Sequence, residues 1–265
     1  MAVLGDIFKF IKTTGERPTP FGTFHILSLI ITILVTLIIC KRWKSVNEKK
    51  VRCFLLIISV AVIFFEIYKQ IVFSFTFDGE RFIFDYKWHI FPWQFCSTPM
   101  FAGLAAALIK NKKIHYMLCA YLASFGLVAG TFTIVSGSSL FSDIVGINIQ
   151  TAVCHGSMVV IGGTLLSSGY VKSDTDALKA AIPPFLFGAV VAMVLNQLAY
   201  LSGIPDGEVF NMYFISPYFP KDQPLLAPIR QILPDPIFQI VYLAVFTLLA
   251  RATLALSAKL HCTKR

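Results

Sequence analysis

The sequence predicts an all-α protein, a polytopic membrane bundle of about seven transmembrane helices. Three observations carry this. Hydrophobic residues make up 56% of the 265 positions, and the mean hydropathy is +0.73. Charged residues make up 14%, against roughly 25% in a soluble globular domain. Several apolar runs also approach the ~20 residues that a helix needs to cross a bilayer. Backbone groups cannot be left unpaired in hydrocarbon, so helices are the economical structure for such runs.

In chain order, the spans run from about Phe24 to Cys40, Val51 to Phe75, Phe91 to Ile109, His115 to Val135, Ile149 to Tyr170, Leu178 to Leu201, and Ile237 to Ala258. Ahead of the first lies an N-terminal segment, 1–23. Its Ile7-Phe8-Lys9-Phe10-Ile11-Lys12 alternates apolar and basic residues and suits the membrane interface. Arg17-Pro18-Thr19-Pro20 follows where a signal peptide would carry an apolar core and cleavage site, so none is read there. Residues 24–258 read as one helical domain and 259–265 as a cytoplasmic tail. The longest connection, 202–236, is rich in proline and aromatics, including Phe210, Tyr213, Phe214, Tyr218 and Phe219. Such a loop is either an ordered lid over a site or a rigid surface connector.

The formal net charge of +9 sits in the loops rather than on one face. Nucleic-acid binding is therefore not expected, because solvated loop charge explains the excess. One side of the topology receives Lys41, Arg42, Lys44, Lys49, Lys50, Arg52, Lys110, Lys112, Lys113, Lys172, Lys179, Lys259, Lys264 and Arg265. The other receives Lys9, Lys12, Arg17, Arg81, Lys87, Lys221 and Arg230. A ratio of about two to one puts the C-terminus in the cytoplasm and the N-terminus outside, with the 202–236 loop external. The six cysteines show no CxxC spacing and read mostly as small buried apolar residues.

Polar residues inside the spans carry the functional reading. His89-Ile-Phe-Pro92-Trp93-Gln94-Phe-Cys96-Ser97-Thr98-Pro99 opens the third span, and Gln150-Thr-Ala-Val-Cys154-His155-Gly156 stands near the start of the fifth. At about 1.5 Å per residue, Cys96 lies roughly 8 Å and His155 roughly 9 Å from the outer side. Glu66 and Lys69 late in the second span, and Asn196 and Gln197 late in the sixth, reach the same zone. Four helices thus bring rare polar groups to one depth, as walls of a polar chamber. Asn211 and Tyr213 of the long loop are further candidates for it.

Each residue also has a plainer reading. Cysteine is common in cores, and Glu66 and Lys69, three apart on one helical face, can neutralise each other. Asn196, Asn211 and Tyr213 can serve as interhelical or loop hydrogen bonds. His89 and His115 stand near span ends and read as interfacial. Cys154 and His155 point about 100° apart, so only one of them should face Cys96. A buried histidine is harder to dismiss, since intramembrane histidines usually face a cavity.

Facing each other, Cys96 and His155 suit nucleophilic acyl transfer. A free thiol has a pKa of about 8.5, and a neighbouring imidazole raises the thiolate fraction. Attack on an ester gives a thioester, and transfer to water or to a lipid hydroxyl distinguishes a lipase from an acyltransferase. Gln94, Ser97, Thr98 or Asn196 could supply oxyanion hydrogen bonds. A non-enzymatic transporter or binder, with Glu66, Lys69, His155 and Asn196 forming a polar site, stands beside that reading. Zinc sites take three or four ligands, and only Cys96, His155 and Glu66 are at hand. No metal or cofactor is expected; membrane lipids are the expected partner.

Pro92-Trp93-Gln94-Phe95-Cys96-Ser97, Cys154-His155-Gly156, and Asn211-Met212-Tyr213 with Pro217 resemble the bacterial YwaF-like family of integral membrane proteins. That family is similar to the eukaryotic transmembrane protein 164 family, whose members are acyltransferases that build polyunsaturated ether phospholipids. The resemblance implies a multi-span helical fold, a nucleophilic role for Cys96 and an acyl-transfer role for His155. The chain departs from the bacterial pattern just before the cysteine. A leucine–histidine pair is usual there, and this chain has Trp93-Gln94-Phe95. Gln94 can replace that histidine's hydrogen bonding but not its proton transfer.

Overall fold

The computed structural model describes residues 2–136, 141–204, 208–219 and 226–262. Lys221, Lys264 and Arg265, counted above for orientation, lie outside them. Among the described residues, six helices are long and apolar enough to cross a membrane. These are α2 (Thr23–Arg42), α3 (Glu48–Ser74), a continuous rod over Lys112–Ser136, α7 (Val145–Ser167), α8 (Thr175–Leu201) and α10 (Asp235–Cys262). The chain is an integral membrane helical bundle. The rod joins α5 (Lys112–Tyr121) to α6 (Leu127–Ser136) through one π-helical turn at Leu122–Gly126. Side chains set three helix starts: Asn47 caps α3, Asn111 caps α5 and Asp174 caps α8, each accepting a first-turn amide.

The expected third span is the exception. Its helix, α4, covers only Thr98–Leu108, about 16 Å at 1.5 Å per residue. That is half of the ~30 Å hydrocarbon core. Pro92 has no amide to give, and Pro99 stands in the first turn of α4, where proline is tolerated. Residues 91–97 therefore enter the bundle as irregular chain. The other end of α4 would leave carbonyls unpaired, and two side chains answer that. Arg52 of α3 donates from Nη1 to Ala106 O (3.0 Å), Ala107 O (3.1 Å) and Ile109 O (2.6 Å), while its Nε meets Glu48 at 2.8 Å. His115 contributes Nδ1 to Ala106 O at 2.7 Å, and its Nε2 lies 2.6 Å from the Tyr170 hydroxyl. His115, expected at the interface, is 1% exposed, because it turns inward from the first turn of α5 to close the end of α4.

The connections sort to two ends, matching the alternation of basic loops. At one end, α1 (Ala2–Ile11) lies over a hairpin of β1 (Phe75–Phe77) and β2 (Phe82–Phe84). Phe8 meets Phe82 edge-on at 5.3 Å, Lys12 Nζ donates to Phe75 O at 3.2 Å, and Thr14 bridges to Ile144. Burial depresses the pKa of Lys12, with the Asp143 carboxylate pulling the other way. The opposite end carries the α2–α3, α4–α5 and α7–α8 connections. α6 and α7 touch through glycines, since a Cβ on Gly130 would come within 2.6 Å of Met158 Cβ and one on Gly162 within 2.7 Å of Leu127 Cβ. The core gathers Tyr121, Leu122, Phe125, Phe185, Tyr213, Phe238 and Tyr242.

Arg52→Met strands the Ala107 and Ile109 carbonyls, while Ala106 O keeps His115; each stranded carbonyl costs on the order of 1–3 kcal/mol. The apparent unfolding midpoint in detergent should fall, and Arg52→Lys should restore part of it. An unchanged midpoint for Arg52→Met would show that α4 does not depend on this cap.

Candidate functional site

Irregular backbone is tolerated at membrane depth only where it is buried in protein or lines a cavity. The 91–97 stretch does the second on one side and is buttressed on the other. A one-turn 3-10 helix over Trp88–Ile90 leads in, and Ser97 N and Thr98 N both donate to Gln94 O (2.8 and 3.0 Å). The Gln94 side chain donates to Asn211 O (3.0 Å) and accepts the Tyr213 amide (3.0 Å). From α8, Asn196 does the same for Met212, donating to its carbonyl (3.0 Å) and accepting its amide (2.7 Å). Asn211 Oδ1 accepts from Ser216 N at 2.9 Å. These carboxamides hold Tyr213 and Phe214 in the left-handed region, each at φ 57°. Non-glycine residues persist there only when their surroundings over-determine them. The Tyr213 hydroxyl then meets Thr98 Oγ1 (2.9 Å), which also meets the Tyr121 hydroxyl (2.8 Å).

On its other face the stretch bounds a cavity of about 370 Å³. α3 contributes Ile58, Ser59, Val62, Glu66, Lys69 and Phe73, a stripe at three- and four-residue spacing. α7 contributes Ile147, Gln150, Thr151, Cys154, His155, Ser157, Met158 and Ile161, and the irregular stretch adds Gln94, Cys96 and Ser97. Lys69 and Glu66 form a 2.8 Å ion pair. Gln70 Nε2 bridges Glu66 Oε1 (2.7 Å) to Ile90 O (2.9 Å), and the Tyr86 hydroxyl donates to Gln70 Oε1 at 3.1 Å. Beside them stands His89, whose pKa burial lowers against the opposing pull of Glu208. That shift favours the neutral ring, an acceptor as well as a donor.

His155 is 8% exposed, and its Nδ1 lies 2.8 Å from Thr151 O. A carbonyl can only accept, so the Nδ1 carries the proton and the Nε2 has the lone pair. Among the described residues no hydrogen bond reaches that Nε2. Ser59 Oγ, on the facing wall, is buried with no hydrogen-bond partner among the described residues. Cys96 and His155 share this cavity, with no direct hydrogen bond between them. The site therefore holds a thiol, an imidazole lone pair, an unpaired hydroxyl and a charged pair in one largely apolar chamber.

Of the residues expected to form the chamber, Cys96, His155, Glu66, Lys69 and Gln94 are brought together. Asn196, Asn211 and Tyr213 are not among its lining. Their polar groups are committed to the strained turn behind Gln94, so they are supports. The same commitment removes Thr98 and Asn196 as oxyanion donors and occupies the Gln94 amide, leaving Ser97 on the cavity wall. The long connection places none of its described residues on the cavity and packs as a buttress.

Two expectations about α7 also change. The helix starts at Val145, so His155 lies about 15 Å along it rather than 9 Å. Cys154 and His155 both reach the cavity, because the chamber wraps around α7. Ser59 is not among the residues the sequence points to, and Gln150 and Thr151 enter there only within the stretch that ends in Cys154-His155-Gly156. Ser59 stands seven residues from Glu66, Thr151 four from His155 and Gln150 four from Cys154, and that helical spacing is the signal that could have found them. Among the described residues no three His, Cys, Asp or Glu side chains are grouped to hold a metal ion, and Cys96, His155 and Glu66 do not form such a group.

Compared with protein-family profiles, with curated proteins and with solved structures, the chain matches none.

Asn196→Leu leaves the Met212 amide unpaired, at about 1–3 kcal/mol, and leaves the Met212 carbonyl with only the longer bond from the Ile215 amide (3.4 Å). It should lower the unfolding midpoint and loosen the turn, seen as faster amide exchange over 210–216. Exchange at the wild-type rate would sink the assignment of Asn196 as a support.

Proposed function

We propose that this protein transfers acyl groups on membrane lipids, with Cys96 as nucleophile and His155 as general base. The observation that carries the reading is the cavity, where these two residues meet the unpaired Ser59 hydroxyl and the Lys69–Glu66 pair inside a membrane bundle. The resemblance to the YwaF-like and transmembrane protein 164 families supports it.

The Cys96 thiol gives its proton to the His155 Nε2, and the sulfur attacks the lipid ester carbonyl. The tetrahedral oxyanion takes a hydrogen bond from Ser59 or Ser97. Its collapse breaks the ester C–O bond, and His155 returns the proton to the leaving alcohol. An incoming hydroxyl, from water or a second lipid, then cleaves the thioester by the same path in reverse. The thiol and imidazole are not in direct hydrogen-bond contact, so the proton crosses through one water or after the lipid has drawn the walls together. The Lys69–Glu66 pair meets the headgroup side of the substrate. This reading places the cavity end at the outer face of a bacterial cell membrane, with the N-terminus outside and the C-terminus cytoplasmic.

The missing direct contact favours a second reading, a binder or transporter that uses the same polar chamber without chemistry. Purified protein in phospholipid vesicles separates the two. Cys96 should carry an acyl group that hydroxylamine releases, and Cys96→Ala should fold normally with acyl exchange abolished. His155→Gln should slow acylation on the order of 10²- to 10⁴-fold. Full lipid turnover by Cys96→Ala would falsify the enzymatic reading, and solute uptake that survives the substitution would favour the second.

A further inference from the structure

α2 is joined to the bundle in an unusual way. Its only buried residues are His25 and Thr32, and it leans on α7 rather than on its sequence neighbour α3. Two glycines of α7, seven apart and so on one face, allow the approach. A Cβ on Gly156 would stand 2.7 Å from Thr32 Oγ1, and one on Gly163 would stand 2.9 Å from Thr36 Cγ2. His25 Nε2 lies 2.7 Å from Ile134 O and anchors the start of the helix. At the α2–α3 connection the rings of Trp43 and Phe54 close the corner at 4.7 Å. Between that corner and Phe24 the two helices stand apart.

The gap is a groove of about 710 Å³, walled by α2 and α3 and floored by α7. Along α2 it runs from Phe24 to Ile39, about 22 Å, most of the ~30 Å hydrocarbon depth. Its polar lining is slight, three hydroxyls: Ser28 Oγ donates to Phe24 O (2.8 Å), Ser157 Oγ donates to Cys154 O (2.8 Å), and Thr32 Oγ1 sits against Gly156. Ile58, Val62 and Ser157 line both this groove and the polar cavity. One step past them stand Ser59, Cys154 and His155. A second apolar hollow between α4, α5 and α8, of about 390 Å³, shares no lining residue with the cavity.

Resting on the acyl-transfer reading, we infer that the α2/α3 groove is the lateral portal for one acyl chain of a bilayer lipid, threaded past Ile58, Val62 and Ser157 so that its ester reaches Cys96. Continuity with the polar cavity and a length near the bilayer depth select this occupant over a partner helix. A helix is about 10–12 Å across with side chains and would cover the mouth without entering the junction.

The test uses the full chain in phosphatidylcholine vesicles doped with phosphatidylcholine bearing a mid-chain diazirine. Photoadducts should concentrate on Ile31, Val35, Ile57 and Val153, at least fivefold over the lipid-facing Phe187, Val194, Ile240 and Leu248. Even labelling around the bundle overturns the portal, as does a dimer whose groove is shielded from label. Ser157→Trp and, independently on the other wall, Val62→Trp should each cut thioester formation on Cys96 at least tenfold, while Phe187→Trp leaves it unchanged. Melting midpoints identify a plug that merely unfolds the chain, and the second plug then decides. If Cys96 acylation survives a folded plug at the wild-type rate, the portal is wrong and the enzyme stands. Should Cys96 carry no acyl group in the wild type, the chemistry is wrong, and the groove adducts alone decide whether a lipid chain occupies the groove.

Discussion

Every backbone N–H and C=O at membrane depth must find a partner within the protein, and in this chain one segment cannot do so by being a helix. Pro92 and Pro99 interrupt the third span, which leaves an irregular stretch at one end of α4 and uncapped carbonyls at the other. The surrounding architecture answers both. Gln94 and Asn196 take up the amides and carbonyls of the facing turn, and Arg52 with His115 closes α4. Each device uses a side chain that would be costly in lipid, and each is held in place by the groups it satisfies.

The interrupted span also creates the chamber. A full-length helix at this position would fill the space between α3 and α7 with side chains. The half-length α4 leaves that volume open and puts Cys96 on its wall. The charged residues there are balanced, since Lys69 stands on Glu66, and Gln70 ties that carboxylate to the Ile90 carbonyl. The groups left over, Ser59 Oγ and the His155 Nε2, are those that chemistry or binding can use. Neither has a hydrogen-bond partner among the described residues, and the Ser59 hydroxyl is fully buried, where polar groups are otherwise nearly always paired.

Support and site are separated by one residue in places. Gln94 faces the cavity yet spends both ends of its amide on the Asn211–Tyr213 turn, while Cys96, two positions on, has no such duty. Thr98 turns its hydroxyl to Tyr121 and Tyr213, which ties the start of α4 to the π-helical turn and to the strained turn at once. Pi-helical turns concentrate at functional sites because an extra residue re-aims one helical face. Here that turn lies behind the chamber, next to the hydroxyl cluster.

By itself the sequence determined the helical membrane class, the apolar segments and their order, because hydrocarbon length and backbone pairing leave few alternatives. It also made five of the chamber residues legible: Glu66, Lys69, Gln94, Cys96 and His155 are polar groups in runs that otherwise exclude them. Only the tertiary structure decided which polar residues face inward to a space and which face a backbone. Asn196, Asn211 and Tyr213 look the same as site residues in sequence, and their partners are reached only once α8 and the long connection fold together. The third span is the same lesson. Composition counts its residues as a crossing, but whether two prolines kink a helix or end it depends on what can satisfy the freed backbone, and Arg52 and His115 come to it from elsewhere in the chain.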